Sequence, residues 1–174
     1  MTSTNGDNNT ADHWFKEGLR LGRLDDDTGA IEAYGKAVEI DPNHFMAWFN
    51  MGIRHGKLMT NVKAVECFKK ALELKPEDPM VHYSLALVSN LVGLTDDSIK
   101  HYKEAINLNP KFAKAHSNLS VVYYQFKQGR DALEHLLKAE KLFIEQGETG
   151  KAEMASELKK ELFSEFKMSA ADFE

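Results

Sequence analysis

Three junctions in this chain, Asp41-Pro42, Lys75-Pro76 and Asn109-Pro110, stand 34 residues apart, each closing a run of the form Ala-Val-Glu-Ile, Ala-Leu-Glu-Leu or Ala-Ile-Asn-Leu. A repeat of this size constrains the fold more than any composition figure. A unit so short cannot bury its own apolar face, so it must stack on a copy of itself. Four units result, 11–44, 45–78, 79–112 and 113–146. Superimposing them gives columns of like residues: Trp14, Trp48, His82, His116; Gly18, Gly52, Ala86, Ser120; Ala30, Ala64, Ser98, Ala132; Tyr34, Phe68, Tyr102, Leu136; Ala37, Ala71, Ala105, Ala139.

Within each unit the apolar residues recur at helical spacing in two stripes. In the second unit these are Trp48, Met51, Gly52, His55 and then Val62, Val65, Phe68, Ala71, Leu72, with a short polar turn between them. That spacing predicts two antiparallel helices per unit. Asn61 and Thr95 are the expected N-caps of second helices, and Asp78 ahead of Pro79 has the carboxylate-then-proline order that opens a first helix. Small residues in the Gly18 and Ala30 columns allow helices to approach closely, and the Tyr34, Phe68, Tyr102 column fills the gap to the next unit.

These columns resemble the tetratricopeptide repeat family, which has this period and a Trp, Leu-Gly, Tyr, Ala, Phe, Ala, Pro pattern. The resemblance implies an all-α fold, a right-handed α-solenoid of four helix pairs. Departures occur at Glu17, where later units carry Met51, Leu85 and Leu119, at the two histidines of the tryptophan column, and at Ile144 in place of the unit-ending proline. A capping helix is expected over 147–167, with Ala152, Ala155, Leu158, Leu162 and Phe166 inward and Glu153, Glu157, Lys160, Glu161 and Glu165 outward. A disordered start over 1–10 and a mobile acidic tail over 168–174 complete the expected organisation.

Composition then removes whole classes of function. A net charge of -5 argues against general nucleic-acid or anionic-membrane binding, which needs a broad basic surface. No run of some 18 apolar residues exists to insert into a bilayer. The opening MTSTNGDNNT lacks the basic and apolar regions of a secretory leader, so the cytoplasm is the expected compartment. A single cysteine, Cys67, rules out an internal disulfide and is expected to be a buried packing residue. Asp25-Asp26-Asp27-Thr28-Gly29 lacks the alternation and terminal glutamate of a calcium loop and is expected to cap a helix. No two of the seven histidines lie three or four apart, so no metal site is expected. No nucleophile, base and orienting group come together in the sequence, so neither catalytic residues nor a cofactor are expected.

In the implied fold the first helix of each pair lines a concave surface, and the columns facing it lie between the packing columns. The candidate groove residues are Phe15, Lys16, Leu19 and Arg23 in the first unit, and Met46, Phe49, Asn50, Ile53 and Lys57 in the second. Met80, Tyr83 and Leu87 continue them in the third, with Lys114, Asn118, Val121 and Tyr124 in the fourth. Methionine and aromatic side chains there suit a protein or peptide partner, and asparagines can hold a peptide backbone. Gly22 and Gly56 are expected to leave room for that backbone. Lys16, Arg23, Lys57 and Lys114 against Asp12 give the surface a positive sign, so the expected ligand has apolar anchors and acidic flanks.

The carboxylate clamp by which some members of the family hold acidic chaperone tails does not transfer. Its matching positions here are Phe15, Leu19, Asn50, Met80 and Ser84 in one frame and Phe49, Ile53, Ser84, Lys114 and Asn118 in the other. The expected function is therefore a non-enzymatic adaptor with apolar anchoring. Self-association, by head-to-tail stacking of repeat edges or through the C-terminal tail in a neighbour's groove, is the alternative.

Overall fold

The computed structural model describes residues 9–173, so residues 1–8, on which most of the expected disordered start falls, and Glu174 lie outside the described residues. The described residues form α-helices α1 Ala11–Arg23, α2 Asp27–Ile40, α3 Phe45–Lys57, α4 Asn61–Leu74, α5 Pro79–Leu91, α6 Thr95–Leu108, α7 Ala113–Gln125, α8 Gly129–Glu145 and α9 Thr149–Phe166. A 3-10 helix, Ala170–Phe173, follows. No strand occurs among them, and no helix is long and apolar enough to cross a membrane. The fold is all-α and built of helix pairs. It divides between Leu94 and Thr95 into two compact units, α1 to α5 and α6 to the 3-10 helix.

In the first unit each helix packs on the next, and the first helices of successive pairs also touch, α1 with α3 and α3 with α5. The small-residue columns explain this approach. The Tyr34 ring lies on Gly18, and a Cβ on Gly52 would sit 2.8 Å from Phe68 Cε1. Ala30, Ala37, Ala64 and Ala71 are fully buried. A second repeated device joins helix to loop. The Trp48 indole N–H donates to the Pro42 carbonyl at 2.8 Å, and in the next repeat His82 Nε2 meets the Pro76 carbonyl at 2.9 Å. At His82, histidine thus replaces tryptophan without loss of the bond. Cys67 is buried as expected, and burial pushes its thiol up to about 12.

Capping follows the sequence at Asp78 but not at Asn61 and Thr95, each of which is the first residue of its helix rather than its cap. Thr10 accepts from His13 N at 3.1 Å, Asp26 from Gly29 N at 2.9 Å, and Asp78 from Met80 N and Val81 N at 2.9 and 3.2 Å. Asn61, expected to cap α4, is instead its first residue, and Thr60 occupies the cap position without a side-chain bond to the helix. The Thr60 hydroxyl is engaged elsewhere, donating to the His55 carbonyl at 3.0 Å. The turn between the two helices of each repeat carries one left-handed residue, with φ of 58° at Asp25, 57° at Met59, 80° at Gly93 and 58° at Lys127. These positions again lie 34 apart.

In the second unit α6 packs on α7, α7 on α8 and α8 on α9. Leu119, Val122, Leu133, Leu136 and Leu162 are buried, and Lys159 Nζ meets both oxygens of Glu140 at 2.6 and 2.7 Å, joining α9 to α8. α9 has 18 residues where α1, α3, α5 and α7 each have 13. The extra length lays the Phe166 ring over Gly129, whose missing side chain makes the room. The chain end, expected to be mobile, forms the 3-10 helix. Arg130 Nη2 donates to the Asp172 carbonyl at 3.2 Å, and the Phe163 and Phe173 rings lie 6.1 Å apart.

A histidine pair lies between α7 and α8. His116 Nδ1 is 3.0 Å from His135 Nδ1, while His116 Nε2 faces the Pro110 carbonyl just outside strict hydrogen-bond geometry. Burial first, then the neighbouring His135, pushes His116 down to about 4, and burial also lowers His135.

Two predictions follow from this packing. Gly35 lies inside α2 with open space around it, so Gly35→Ala should stabilise by about 0.5–1 kcal/mol, whereas Gly93→Ala, at φ 80°, should destabilise by about 1 kcal/mol. Urea melts of the two variants check the opposite signs. The second concerns acid. Because His116 is neutral when folded and protonates near its ordinary value of 6.5 when unfolded, stability should be complete above about pH 6.5. It should fall as pH drops towards 4, by up to about 3 kcal/mol. Melts across this range should show that slope, flattened in His116→Gln.

Candidate functional site

The candidate residues of the first unit separate into two rows. Phe15, Phe49 and Tyr83 form the inner row, and all are half-buried. The Phe15 ring lies 5.9 Å from Tyr34 and 4.7 Å from His44, and Phe49 lies 5.6 Å from Phe68 and 6.0 Å from Phe45. Phe15 and Phe49 therefore pack against the two core clusters and are only partly available to a ligand.

The outer row is open. Helical spacing puts Lys16, Leu19 and Arg23 on one side of α1, Met46, Asn50, Ile53 and Lys57 on one side of α3, and Met80, Ser84, Leu87 and Leu91 on one side of α5. Met46, Ile53, Met80, Leu87 and Leu91 are between 39% and 61% exposed, and Leu19 is half-buried. These residues form an apolar strip across adjacent helices. The Asn50 amide is half-buried and makes no hydrogen bond among the described residues.

The charge on this face differs from the sequence expectation. Lys57 Nζ lies 2.9 Å from Asp25 Oδ1 and 2.9 Å from Asp27 Oδ2, and Arg54 Nη1 lies 3.0 Å from Asp27 Oδ1. Asp27 is buried, and the hydrogen bond from Lys57, opposed by desolvation and reinforced by Arg54, holds its carboxyl below the ordinary carboxylate range. Lys57 is raised by its two aspartate partners. Its charge is thus already paired within the chain. Lys16 and Arg23 are exposed and make no ion pair among the described residues, so they carry the positive sign of the face.

Gly22 also serves a different purpose from the one expected. A Cβ there would lie 2.7 Å from Arg54 Nη2, so its space is filled by the guanidinium that reaches Asp27 and is closed to a ligand. A single sequence could show that small residues recur at this column. It carried no signal that Arg54 of the next repeat lies over Gly22, whereas Gly56 has only Val88 near it, at 3.9 Å.

On α7 of the second unit, Lys114 and Val121 are exposed and Asn118 is half-buried. Tyr124 is covered by the chain itself. Its ring meets Phe166 edge-on at 6.2 Å, and Glu165 accepts from Lys127 Nζ at 2.6 Å. The Glu165 carboxylate raises the Tyr124 hydroxyl from its ordinary value. No group of three or more potential metal-ligating side chains converges among the described residues.

Comparison with known proteins agrees with the fold. A tetratricopeptide repeat model matches residues 14–44 and 62–78, and a TPR repeat model matches residues 93–129. No curated protein matches the sequence. Among solved structures, a crystal structure of MamA is 22% identical, covering 82% of this chain and 83% of its own, with a TM-score of 0.78. A crystal structure of MamA protein is 25% identical over 90% of this chain and 88% of that one, with a TM-score of 0.75. A MamA fragment, 41-end, from Desulfovibrio magneticus RS-1 is 25% identical over 79% and 78%, with a TM-score of 0.76. Period, packing and likeness converge: this chain is a tetratricopeptide repeat protein, a scaffold for protein interaction.

Proposed function

We propose that the protein is a non-enzymatic adaptor and that the α1–α3–α5 face of its first unit binds a helix or extended peptide with apolar anchors and acidic flanks. The observation that carries this reading is the strip of Met46, Ile53, Met80, Leu87 and Leu91, five large apolar side chains exposed on adjoining helices. Exposed apolar area gathered on one face favours binding, since burying it against a partner recovers hydrophobic free energy that folding left unused. Methionine in two of the five positions suits anchors of varied shape. Asn50 lies within the strip and offers one donor and one acceptor to a backbone. Lys16 and Arg23 on α1 supply the attraction for acidic flanks. Lys114, Asn118 and Val121 offer the same kinds of group on α7 of the second unit, and there the role is proposed for each residue singly.

Selection of peptides from a random display library on the immobilised full chain tests the reading. Enriched peptides should pair large apolar residues with Asp or Glu. Met80→Asp with Leu87→Asp should weaken their binding by about tenfold or more while shifting the urea midpoint little, as exposed substitutions do. Phe49→Ala, by contrast, should cost about 2 kcal/mol or more of stability, because that ring packs on the core. If no enriched peptide is weakened by the Met80 and Leu87 changes, the site is refuted.

A further inference from the structure

The second unit contains a cleft of about 770 Å³ that the α1–α3–α5 face does not account for. One side of α8 lines it with Arg130, Glu134, Lys138 and Lys141, residues whose spacing places them along a single helical stripe. Asp172 and Phe173, from the end of the chain, form part of its wall. We propose that this cleft is a second binding site, for an acidic peptide carrying an aromatic side chain, and that the terminal 3-10 helix is a displaceable latch on its rim.

The chain's own end shows the chemistry the site accepts. The Arg130 guanidinium stands 5.5 Å from the centre of the Phe173 ring while donating to the Asp172 carbonyl, and Phe173 rests on Phe163. The Asp172 carboxylate itself is taken by Ser169, from N at 2.6 Å and Oγ at 3.0 Å. It therefore leaves Lys138 and Lys141 without an ion pair among the described residues. Two cations and most of the cleft remain for a ligand. The latch is thin, since Ala170, Ala171 and Asp172 are exposed and Phe173 alone is half-buried.

Elsewhere in this unit Glu165 and Phe166 meet Lys127 and Tyr124, so there an acid beside an aromatic is received by a cation beside an aromatic. Glu134, in the middle of the cationic stripe, disfavours a continuous polyanion, but carboxylates spaced along a peptide can fall on either side of it. The volume lies within the ordinary range for ligand sites.

The test uses the full chain and a fluorescein-labelled hexapeptide, Asp-Glu-Ala-Asp-Phe-Glu, followed by fluorescence anisotropy. Saturable binding is expected, weakened by about tenfold or more in Lys138→Glu with Lys141→Glu, and reduced by salt of about 0.5 M. Phe173→Ala, which loosens the latch, should tighten it by about threefold or more, as loss of an internal competitor does. Met80→Asp with Leu87→Asp should leave it unchanged, which separates this site from the proposed face of the first unit. Absence of saturable binding, indifference to the two lysines, or sensitivity to Leu87 would overturn the proposal. So would a concentration-dependent sedimentation coefficient that Phe173→Ala abolishes, since the occupant would then be the tail of a second copy.

Discussion

The packing of an aromatic ring onto a residue with no side chain governs this fold. Tyr34 on Gly18 and Phe68 on Gly52 bring the two helices of a pair together closely, and the fully buried alanines extend the same tolerance along the next helix face. Such contacts are short, so they fix the relative position of two helices far more tightly than longer side chains would. Every repeat keeps that spacing between a small residue and a bulky apolar one, with Ala86 and Tyr102 in the third and Ser120 and Leu136 in the fourth. The 34-residue period is the sequence record of that requirement. Phe166 on Gly129 uses the same contact at the end of the second unit, with a ring from the capping helix in place of one from the partner helix of a pair.

Against this apolar framework the Asp27 cluster is the chief polar departure in the first unit. A buried carboxylate would be expensive alone; here Arg54 and Lys57 from α3 both bond to it, and it belongs to α2. The cluster therefore links one repeat to the next through charge. It also decides the character of the adjacent face. By drawing in Arg54 and Lys57 it leaves positive charge chiefly on α1, to one side of the apolar strip. A ligand held there meets a graded surface, with cations at one side and methionine and leucine at the other.

The fold was largely legible because repetition multiplies a weak signal. One Ala or Gly says little, whereas four in register identify helix contacts, and Asp78 before Pro79 specifies a cap from two residues. The candidate face was legible in its apolar part for the same reason: Met46, Ile53, Met80 and Leu87 occupy columns that the helical period turns outward. What escaped the sequence depends on reach. Lys57 and Arg54 carry charge at the end of long flexible stems, and nothing local indicates that Asp27, some 30 residues earlier, collects them. Phe15 and Phe49 stand in outward columns but lean back onto the core rings, a choice of side-chain direction that column membership does not fix. Asn61 failed as a cap because the residue before it took that position, a shift of one residue at a helix end.

The histidines of the tryptophan column have a property that the indole lacks. An indole has one nitrogen, so Trp48 ends the contact that begins at the Pro42 carbonyl. An imidazole has a second nitrogen across the ring. In His116 that atom meets His135, so a line of polar groups runs from the Pro110 carbonyl through one ring to another on α8. Two Nδ1 atoms 3.0 Å apart can share only one proton: the ring that carries it there donates, and the other must present a lone pair and keep its own proton on Nε2. The tautomers of two histidines on different helices are thereby held in opposition.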